Sequence, residues 1–180
     1  MRIKAPESLL LIIDLQSRLL PSIHQGNVVI ENAAWLLDVA QTIGVPVLAT
    51  EQYPKGLGQT EPGLRSRLQE NQILEKIHFS AVTESGLLNT PRSSRPQWVL
   101  AGTETHVCVQ QTALDLLAKG YQVFIVEEAV GSRKPRDKEL ALQRMRQAGA
   151  QIVSCEMIAF EWLEKAGTPL FRTVLQRFIR

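Results

Sequence analysis

Short apolar runs and helix-like segments alternate along this chain. Residues 8–14 form a nearly continuous apolar run, which is typical of a strand that is buried on both faces. Residues 27–43 then carry apolar side chains with helical periodicity, and Gly44 and Pro46 stop that periodicity. The first 46 residues therefore predict a strand followed by a helix.

The same alternation continues to the end of the chain. Further strands are predicted at 47–50, Ile73–Lys76, 97–102, 122–126 and 150–154, and further helices are predicted up to Lys119 and at 135–148, 156–166 and 169–179. Repeated βα units indicate an α/β fold, a three-layer doubly wound sheet of parallel strands with helices on both faces. Ligands of such sheets bind outside the carboxyl ends of the strands.

Composition narrows the possible classes of protein. The chain has 180 residues, of which 44% are hydrophobic and 21% are charged, so we predict one domain over residues 1–180. The 20 basic and 18 acidic residues are interspersed and leave a formal charge of +2, which predicts no nucleic-acid partner. Asp14 interrupts the first apolar run, so we expect neither a signal peptide nor a membrane span, and a cytoplasmic location.

Three side chains that could take part in catalysis lie at or just beyond predicted strand ends. Asp14 closes the first strand, Lys76 closes the third, and Cys108 lies about one turn beyond the fourth. Each also has a purely structural interpretation, since an aspartate can cap a turn, a lysine can be solvated and a cysteine is often a small buried apolar residue. Their coincidence at one edge of the sheet favours a catalytic site.

Cys108 is the candidate nucleophile of this site. The start of a helix presents unpaired N–H groups and the positive end of the helix dipole, so we expect this position to favour the thiolate. Asp14 could accept the thiol proton, and the Lys76 ammonium could keep that carboxylate ionised. His106 is two residues from Cys108 and is not expected to face it.

Several motifs resemble a known family. L-L-I-I-D-L-Q at 10–16, E-K-I-H-F-S-A at 75–81 and A-G-T-E-T-H-V-C-V at 101–109 resemble, in this order and spacing, the isochorismatase-like cysteine hydrolases. Further segments, T-E-Q-Y-P-K-G-L-G among them, resemble the small single-domain branch of isochorismatase domain-containing proteins. The resemblance covers nearly the whole chain.

The resemblance carries specific expectations. It implies a Rossmann-like sheet of six strands in the order 3-2-1-4-5-6, with Asp14 as general base, Lys76 as triad lysine and Cys108 as the nucleophile of a covalent acyl-enzyme. It also implies a cis peptide at Thr103–Glu104, which would direct the Glu104 N–H into an oxyanion hole beside that of Cys108. Members of the family cleave vinyl ethers, amides or ureido compounds, and the triad does not distinguish among these substrates.

The chain departs from the family at one motif. Nicotinamidases of this family carry an Asp-x-His metal motif after the second strand, and here Tyr53 stands where that histidine is expected. We therefore predict no catalytic metal and no cofactor. A dinucleotide-binding role is disfavoured, because no G-x-G-x-x-G motif follows the first strand.

Substrate contacts and assembly are the least determined features. Gln16, Tyr53 and Phe79 are the candidate walls of a small substrate pocket, and Cys155 is interpreted as a structural thiol. An apolar stripe on residues 169–179 favours a homo-oligomer, a dimer or larger. The family resemblance implies the same, since members of the family commonly form oligomers. The alternative function is a catalytically silent family member that acts as an interaction or scaffold protein.

Overall fold

The protein is built around one parallel six-stranded sheet. The computed structural model describes residues 1–84 and 86–179, and its strand order is β3-β2-β1-β4-β5-β6, all neighbouring pairs being parallel. The predicted fold class and strand order are therefore confirmed. The strands are β1 (Ser8–Ile13), β2 (Val47–Gln52), β3 (Ile73–Lys76), β4 (Gln97–Thr103), β5 (Gln122–Gly131) and β6 (Gln151–Val153).

Helices connect the strands and cover both faces of the sheet. They are α1 (Gly26–Ile43), α2 (Pro54–Leu57), α3 (Pro62–Arg65), α4 (Ala81–Glu84), α5 (Gln110–Ala118), α6 (Pro135–Gln147), α7 (Cys155–Leu163) and α8 (Pro169–Val174). Two π-helical turns complete the pattern, Thr105–Val109 before α5 and Leu175–Ile179 after α8. None of the described helices is both long and apolar enough to cross a bilayer.

Two hydrophobic clusters lie on opposite faces of the sheet. Successive residues of β1 divide between them, Leu10 and Ile12 in the cluster that includes α1 and α7, and Leu9, Leu11 and Ile13 in the cluster that includes α5 and α6. A strand whose side chains alternate between two buried faces must be apolar throughout. This requirement explains the continuous apolar run that begins the chain.

The structure differs from the predicted elements mainly in segments that contain polar residues. Strand β2 continues past its apolar residues to Gln52, and β5 continues past Glu127 and Glu128 to Gly131, because backbone pairing with β3 and β4 extends over these residues. The three short helices α2, α3 and α4 lie in segments for which the sequence predicts no helix. Four-residue helices carry too little periodicity to be recognised.

A close approach of two strands shapes the carboxyl edge of the sheet. Gly102 of β4 has φ +131, and a β-carbon there would overlap the carbonyl oxygen of Ile13 in β1. Only glycine permits this approach. Asp14, the next residue after β1, has a left-handed backbone with φ 50, a conformation that aspartate tolerates better than most residues. Both features bring the end of β1 against the end of β4.

The apolar stripe at the end of the chain packs mostly inward. Val174 is fully buried in the larger cluster, Phe171, Phe178 and Ile179 pack against that cluster, and Trp35 of α1 donates its indole N–H to the carbonyl of Phe178 at 2.9 Å. The stripe is therefore used within the chain. It is not the free apolar surface from which an oligomer interface was inferred.

Candidate active site

The carboxyl ends of β1 and β3 bring Asp14 and Lys76 into direct contact. The Lys76 Nζ lies 2.7 Å from Asp14 Oδ2, and both side chains are fully buried. Strand β2 lies between their strands, and its Thr50 donates a hydrogen bond from Oγ1 to Asp14 Oδ1 at 2.7 Å. Each carboxylate oxygen therefore has its own donor. A buried charged group requires such hydrogen-bond partners, because they replace the water that it has lost.

Cys108 lies beside this ion pair. It belongs to the π-helical turn Thr105–Val109 that follows β4, and it is 5% exposed. Burial has the largest effect on the pKa of its thiol, and the charges of Asp14 and Lys76 both act on that pKa, Asp14 raising it and Lys76 lowering it. The structure thus brings together the three residues that the sequence singled out from three strand ends.

The expectation of a resting thiolate is wrong. Burial raises the pKa of the Cys108 thiol to about 12, and the negative charge of Asp14 adds to that rise, while Lys76 opposes it. Helix α5 itself begins only at Gln110, so the thiol precedes the regular helix at whose start it was expected. At neutral pH the sulfur therefore keeps its proton until a base removes it.

Asp14 is suited to be that base. Burial raises the pKa of its carboxyl above the usual value, and the Lys76 ammonium lowers it, followed by the hydrogen bonds from Lys76, Thr50 and Cys108. Burial outweighs the lowering contributions. A carboxylate with a raised pKa holds an incoming proton more strongly than an ordinary surface carboxylate does.

The segment between β4 and Cys108 has the backbone geometry that the family resemblance implied. The Thr103–Glu104 peptide is cis, and the Thr103 hydroxyl donates to the carbonyl oxygen of Asp14 at 2.7 Å. The carboxylate of Glu104 accepts from Arg133 Nε at 2.8 Å. Thr105 is fully buried, and its Oγ1 has no hydrogen-bond partner among the described residues. Water or a ligand usually satisfies such an atom.

The three residues predicted to contact substrate have different surroundings. Phe79 is 52% exposed and lines a cavity of about 420 Å³ between the β3–α4 segment and α5, where Gln111 lies one turn beyond Cys108. Tyr53 is equally exposed, at the start of α2. Gln16 is fully buried, and its amide bonds to Gln52 and Gly58, so in this structure it offers no surface to a substrate.

The position of the family's metal motif is occupied by protein contacts. Glu51 is buried, and its Oε1 accepts from Arg65 at 2.7 Å and from the backbone and hydroxyl of Thr60. Tyr53, two residues on, offers no ring nitrogen. Over residues 1–84 and 86–179, no group of three or more histidine, cysteine or acidic side chains could hold a metal ion.

His106 and Cys155 both lie in settings apart from the ion pair. The ring of His106 bonds through Nδ1 to Ser132 Oγ at 2.9 Å, and its Nε2 lies 3.9 Å from Asp137. Cys155 is the first residue of α7 and lies near Glu128 at the other face of the sheet. Neither residue was predicted to be catalytic, and neither contacts the ion pair.

Two polar residues of this site were not identified from the sequence. Thr50 bonds to Asp14, and Gln52 places its Oε1 2.6 Å from Lys76 Nζ. Both follow the apolar part of β2 in T-E-Q-Y-P, a segment that carries part of the family resemblance and Tyr53 but predicts no role for Thr50 or Gln52. Their position alone could have identified them. Strand β2 neighbours β1, and its carboxyl end lies at the edge of the sheet that also holds Asp14.

Comparison with known proteins agrees with this fold. The Isochorismatase domain family matches residues 8–157. Isochorismatase domain-containing protein 2A of Mus musculus is 38% identical over 179 residues, which are 99% of this chain and 85% of the mouse protein. The solved MAR1 ribonuclease of Caenorhabditis elegans is 34% identical, with a TM-score of 0.92, and the match covers 100% of this chain and 93% of the other.

A more distant structure shares the fold. The YcaC gene product of Escherichia coli, described as an octameric hydrolase of unknown specificity, is 24% identical with a TM-score of 0.90, over 99% of this chain and 91% of the other. The chain therefore belongs to the isochorismatase family. Membership places it among hydrolases, as the sequence motifs predicted.

Proposed function

We propose that this protein is a metal-independent cysteine hydrolase acting on a small amide, ureide or related substrate. The observation that carries the proposal is the buried Lys76–Asp14 ion pair at 2.7 Å, whose two charges both act on the thiol of Cys108. A thiol with a pKa of about 12 is a weak nucleophile unless its proton leaves as it attacks. Asp14 is the buried carboxylate in position to take that proton.

The proposed reaction proceeds in two halves. Asp14 accepts the thiol proton while the Cys108 sulfur bonds to the substrate carbonyl carbon, and the N–H groups of Glu104 and Cys108 hold the resulting oxyanion. Asp14 then returns the proton to the leaving nitrogen, the C–N bond breaks, and an acyl-enzyme remains. Water attacks the thioester, gives a proton to Asp14 and releases the acid, and Asp14 finally reprotonates Cys108.

The Lys76 ammonium has a separate task in this scheme. It does not transfer a proton in either half of the reaction. Its charge lowers the pKa of Asp14 and of Cys108, so it favours the ionised forms that the chemistry uses. Phe79 and Tyr53 remain our candidates for substrate contact, since both present exposed rings near the carboxyl edge of the sheet.

A parallel screen tests the reaction type. Primary amides, ureides and vinyl ethers would be offered to the wild type and to Cys108→Ala, with release of ammonia and of pyruvate measured together. We expect ammonia release that depends on Cys108, and a substrate-derived mass on the Cys108 peptide in quenched reactions. Turnover that survives in Cys108→Ala would contradict the mechanism. Pyruvate release without ammonia would replace the amide class by a vinyl ether.

Two further outcomes bear on the alternatives. One relative is named a ribonuclease, so an RNA arm belongs in the screen. We expect no RNA cleavage that depends on Cys108, because the charged residues of this chain are interspersed and leave a formal charge of only +2. No turnover of any class, together with no covalent adduct, would favour the catalytically silent scaffold.

Assembly and location remain predictions. We expect a homo-oligomer, and large exposed apolar side chains near the site, Tyr53, Ile77 and Phe79, are the candidates to be covered in it. Sedimentation as a monomer at micromolar concentration would contradict this expectation. The cytoplasmic location is tested by fractionating cells that express the tagged chain.

A further inference from the structure

Two buried glutamines form a linked pair next to the proposed triad. The side chain of Gln16 bonds to both backbone groups of Gln52: its Oε1 accepts from the Gln52 N–H at 2.7 Å, and its Nε2 donates to the Gln52 carbonyl at 2.9 Å. The same Nε2 donates to the carbonyl of Gly58 at 2.6 Å. The end of β2 is therefore fixed at Gln52.

The side chain of Gln52 extends this arrangement to Lys76. Its Oε1 accepts from Lys76 Nζ at 2.6 Å, and its Nε2 donates to the carbonyl of Ile77 at 2.6 Å. An ammonium only donates and a carbonyl only accepts, so this is the one orientation of the amide that satisfies both neighbours. The two residues are also direct partners in the register of β2 and β3.

The contacts of the Lys76 ammonium show how much depends on Gln52. Its short contacts are Gln52 Oε1 at 2.6 Å and Asp14 Oδ2 at 2.7 Å, and the carbonyls of Phe79 and His78 follow at 3.1 and 3.3 Å. The lysine is fully buried as a side chain, so protein groups must replace the water that would otherwise surround its charge. Gln52 supplies the shortest of these replacements.

We propose that Gln52 is a positioning residue, which holds the Lys76 ammonium against Asp14 and beside Cys108, and that Gln16 fixes Gln52 for this task. The inference rests on the proposed function, in which Lys76 adjusts the charge balance of base and nucleophile. It assigns Gln16 to the support of the triad instead of to substrate contact. Gln52 touches neither the reacting sulfur nor the substrate in this assignment.

The test compares Gln52→Met with Gln72→Met. Methionine keeps the length of the side chain and removes the amide in both variants. Gln72 is a matched control, because its Nε2 also donates to a backbone carbonyl of β2, that of Val47 at the opposite end of the strand. The rates at which iodoacetamide labels Cys108 and Cys155 would be measured in one sample, by peptide mass spectrometry, from neutral to mildly alkaline pH.

Displacement of Lys76 and loosening of the fold should change the labelling rates of the two cysteines in different ways. Lys76 lowers the pKa of Cys108, and the groups that shift the pKa of Cys155 include no cation. We expect Gln52→Met to label Cys108 about tenfold more slowly than the wild type does, with Cys155 unchanged, since below the pKa a rise of one unit lowers the thiolate fraction tenfold. Gln72→Met should change neither rate.

A purely structural role of Gln52 predicts no slowing of Cys108 labelling in Gln52→Met. If Gln52 only braces the loops, Gln52→Met should loosen the fold and label both buried cysteines faster, or leave Cys108 unchanged, and either result would overturn the proposal. Should Gln52→Met not fold, Gln52→Glu serves in its place. It keeps an acceptor beside Lys76 but adds a negative charge that competes with Asp14, so slower labelling of Cys108 is again expected, and an unchanged rate contradicts the proposal.

Labelling does not depend on turnover, so the two proposals fail separately. Activity that persists in Cys108→Ala would refute the cysteine hydrolase and leave the labelling result standing. An unchanged Cys108 labelling rate in folded Gln52 variants would refute the positioning role alone. Once a substrate is identified, Gln52→Met should lower kcat with little change in KM, as expected for a residue that does not bind substrate.

Discussion

The two cysteines of this chain have similar burial and different charged neighbours. Cys108 is 5% exposed and Cys155 is 6% exposed, each lies shortly after a strand of the same sheet, and burial raises the pKa of each thiol to about 12. Each also has a carboxylate neighbour that raises its pKa further, Asp14 for Cys108 and Glu128 for Cys155. Neither burial nor pKa therefore distinguishes the proposed nucleophile from the other thiol.

The carboxylates of Glu128 and Asp14 differ in the groups to which they bond. Glu128 accepts the backbone N–H of Cys155 at 2.8 Å, so it caps the start of α7. Asp14 is paired with Lys76 and Thr50, which stabilise its charge in a fully buried place at the carboxyl edge of the sheet. A base next to a thiol is useful only when it can stay ionised until the proton arrives. The cation distinguishes the proposed catalytic thiol from the structural one.

The largest expected difference comes from removing each sulfur in turn. Cys108→Ala should lower turnover by about 10⁴-fold or more, since no other described group is placed to form the acyl-enzyme. Cys155→Ala should keep most of the activity and cost about 1 kcal/mol of unfolding free energy, as an ordinary buried substitution does. Steady-state kinetics and thermal unfolding measure both. Comparable activity losses in the two folded variants would remove the distinction.

Exchanging each carboxylate for its amide separates the base from the cap. Asp14→Asn should lower kcat by about 10² to 10⁴-fold, the usual contribution of a general base. Glu128→Gln should speed labelling of Cys155 and leave kcat unchanged. Full turnover in folded Asp14→Asn would show that Asp14 is not the base.

Removing the cation tests what makes the Asp14 site different. Lys76 lowers the pKa of Asp14, so in Lys76→Met that pKa should rise further above its usual value. A base works only when ionised, so the acidic limb of kcat/KM against pH should move to higher pH. Activity should recover partly as the pH rises. An unmoved limb would mean that Lys76 does not act through Asp14.

The smallest expected effect concerns the hydroxyl on Asp14. The hydrogen bond from Thr50 lowers the pKa of Asp14 less than Lys76 does, so Thr50→Val should shift the same acidic limb upward by less than Lys76→Met does. Thr60→Val is the matched control, because Thr60 bonds in the same way to Glu51, a buried carboxylate that is paired with Arg65. Equal shifts in the two pH profiles would point to a general effect on strand β2.

Sequence reasoning succeeded where a signal is repeated or local. The continuous apolar run of β1 predicted a two-faced buried strand, and the βα alternation predicted the parallel sheet whose carboxyl edge holds Asp14, Lys76 and Cys108. It failed for the charge state of Cys108, because the helix-start argument omitted the burial that raises the thiol pKa. Gln52 was also not recognised as part of the site. The sequence does not show whether a polar residue at a strand end faces solvent or a buried ammonium.

The sequence by itself determined the order of the strands along the chain, the residue types at their ends and the motifs of the family. These features follow from short-range periodicity and residue identity, which are present before folding. Only the tertiary structure decided which side chains bond to each other at those ends, that Gln16 bonds to Gln52 and is not exposed to a substrate, and that burial raises the pKa of Cys108. Distances of a few ångströms and the exclusion of water set charge interactions, and both exist only when strands from distant parts of the chain lie side by side.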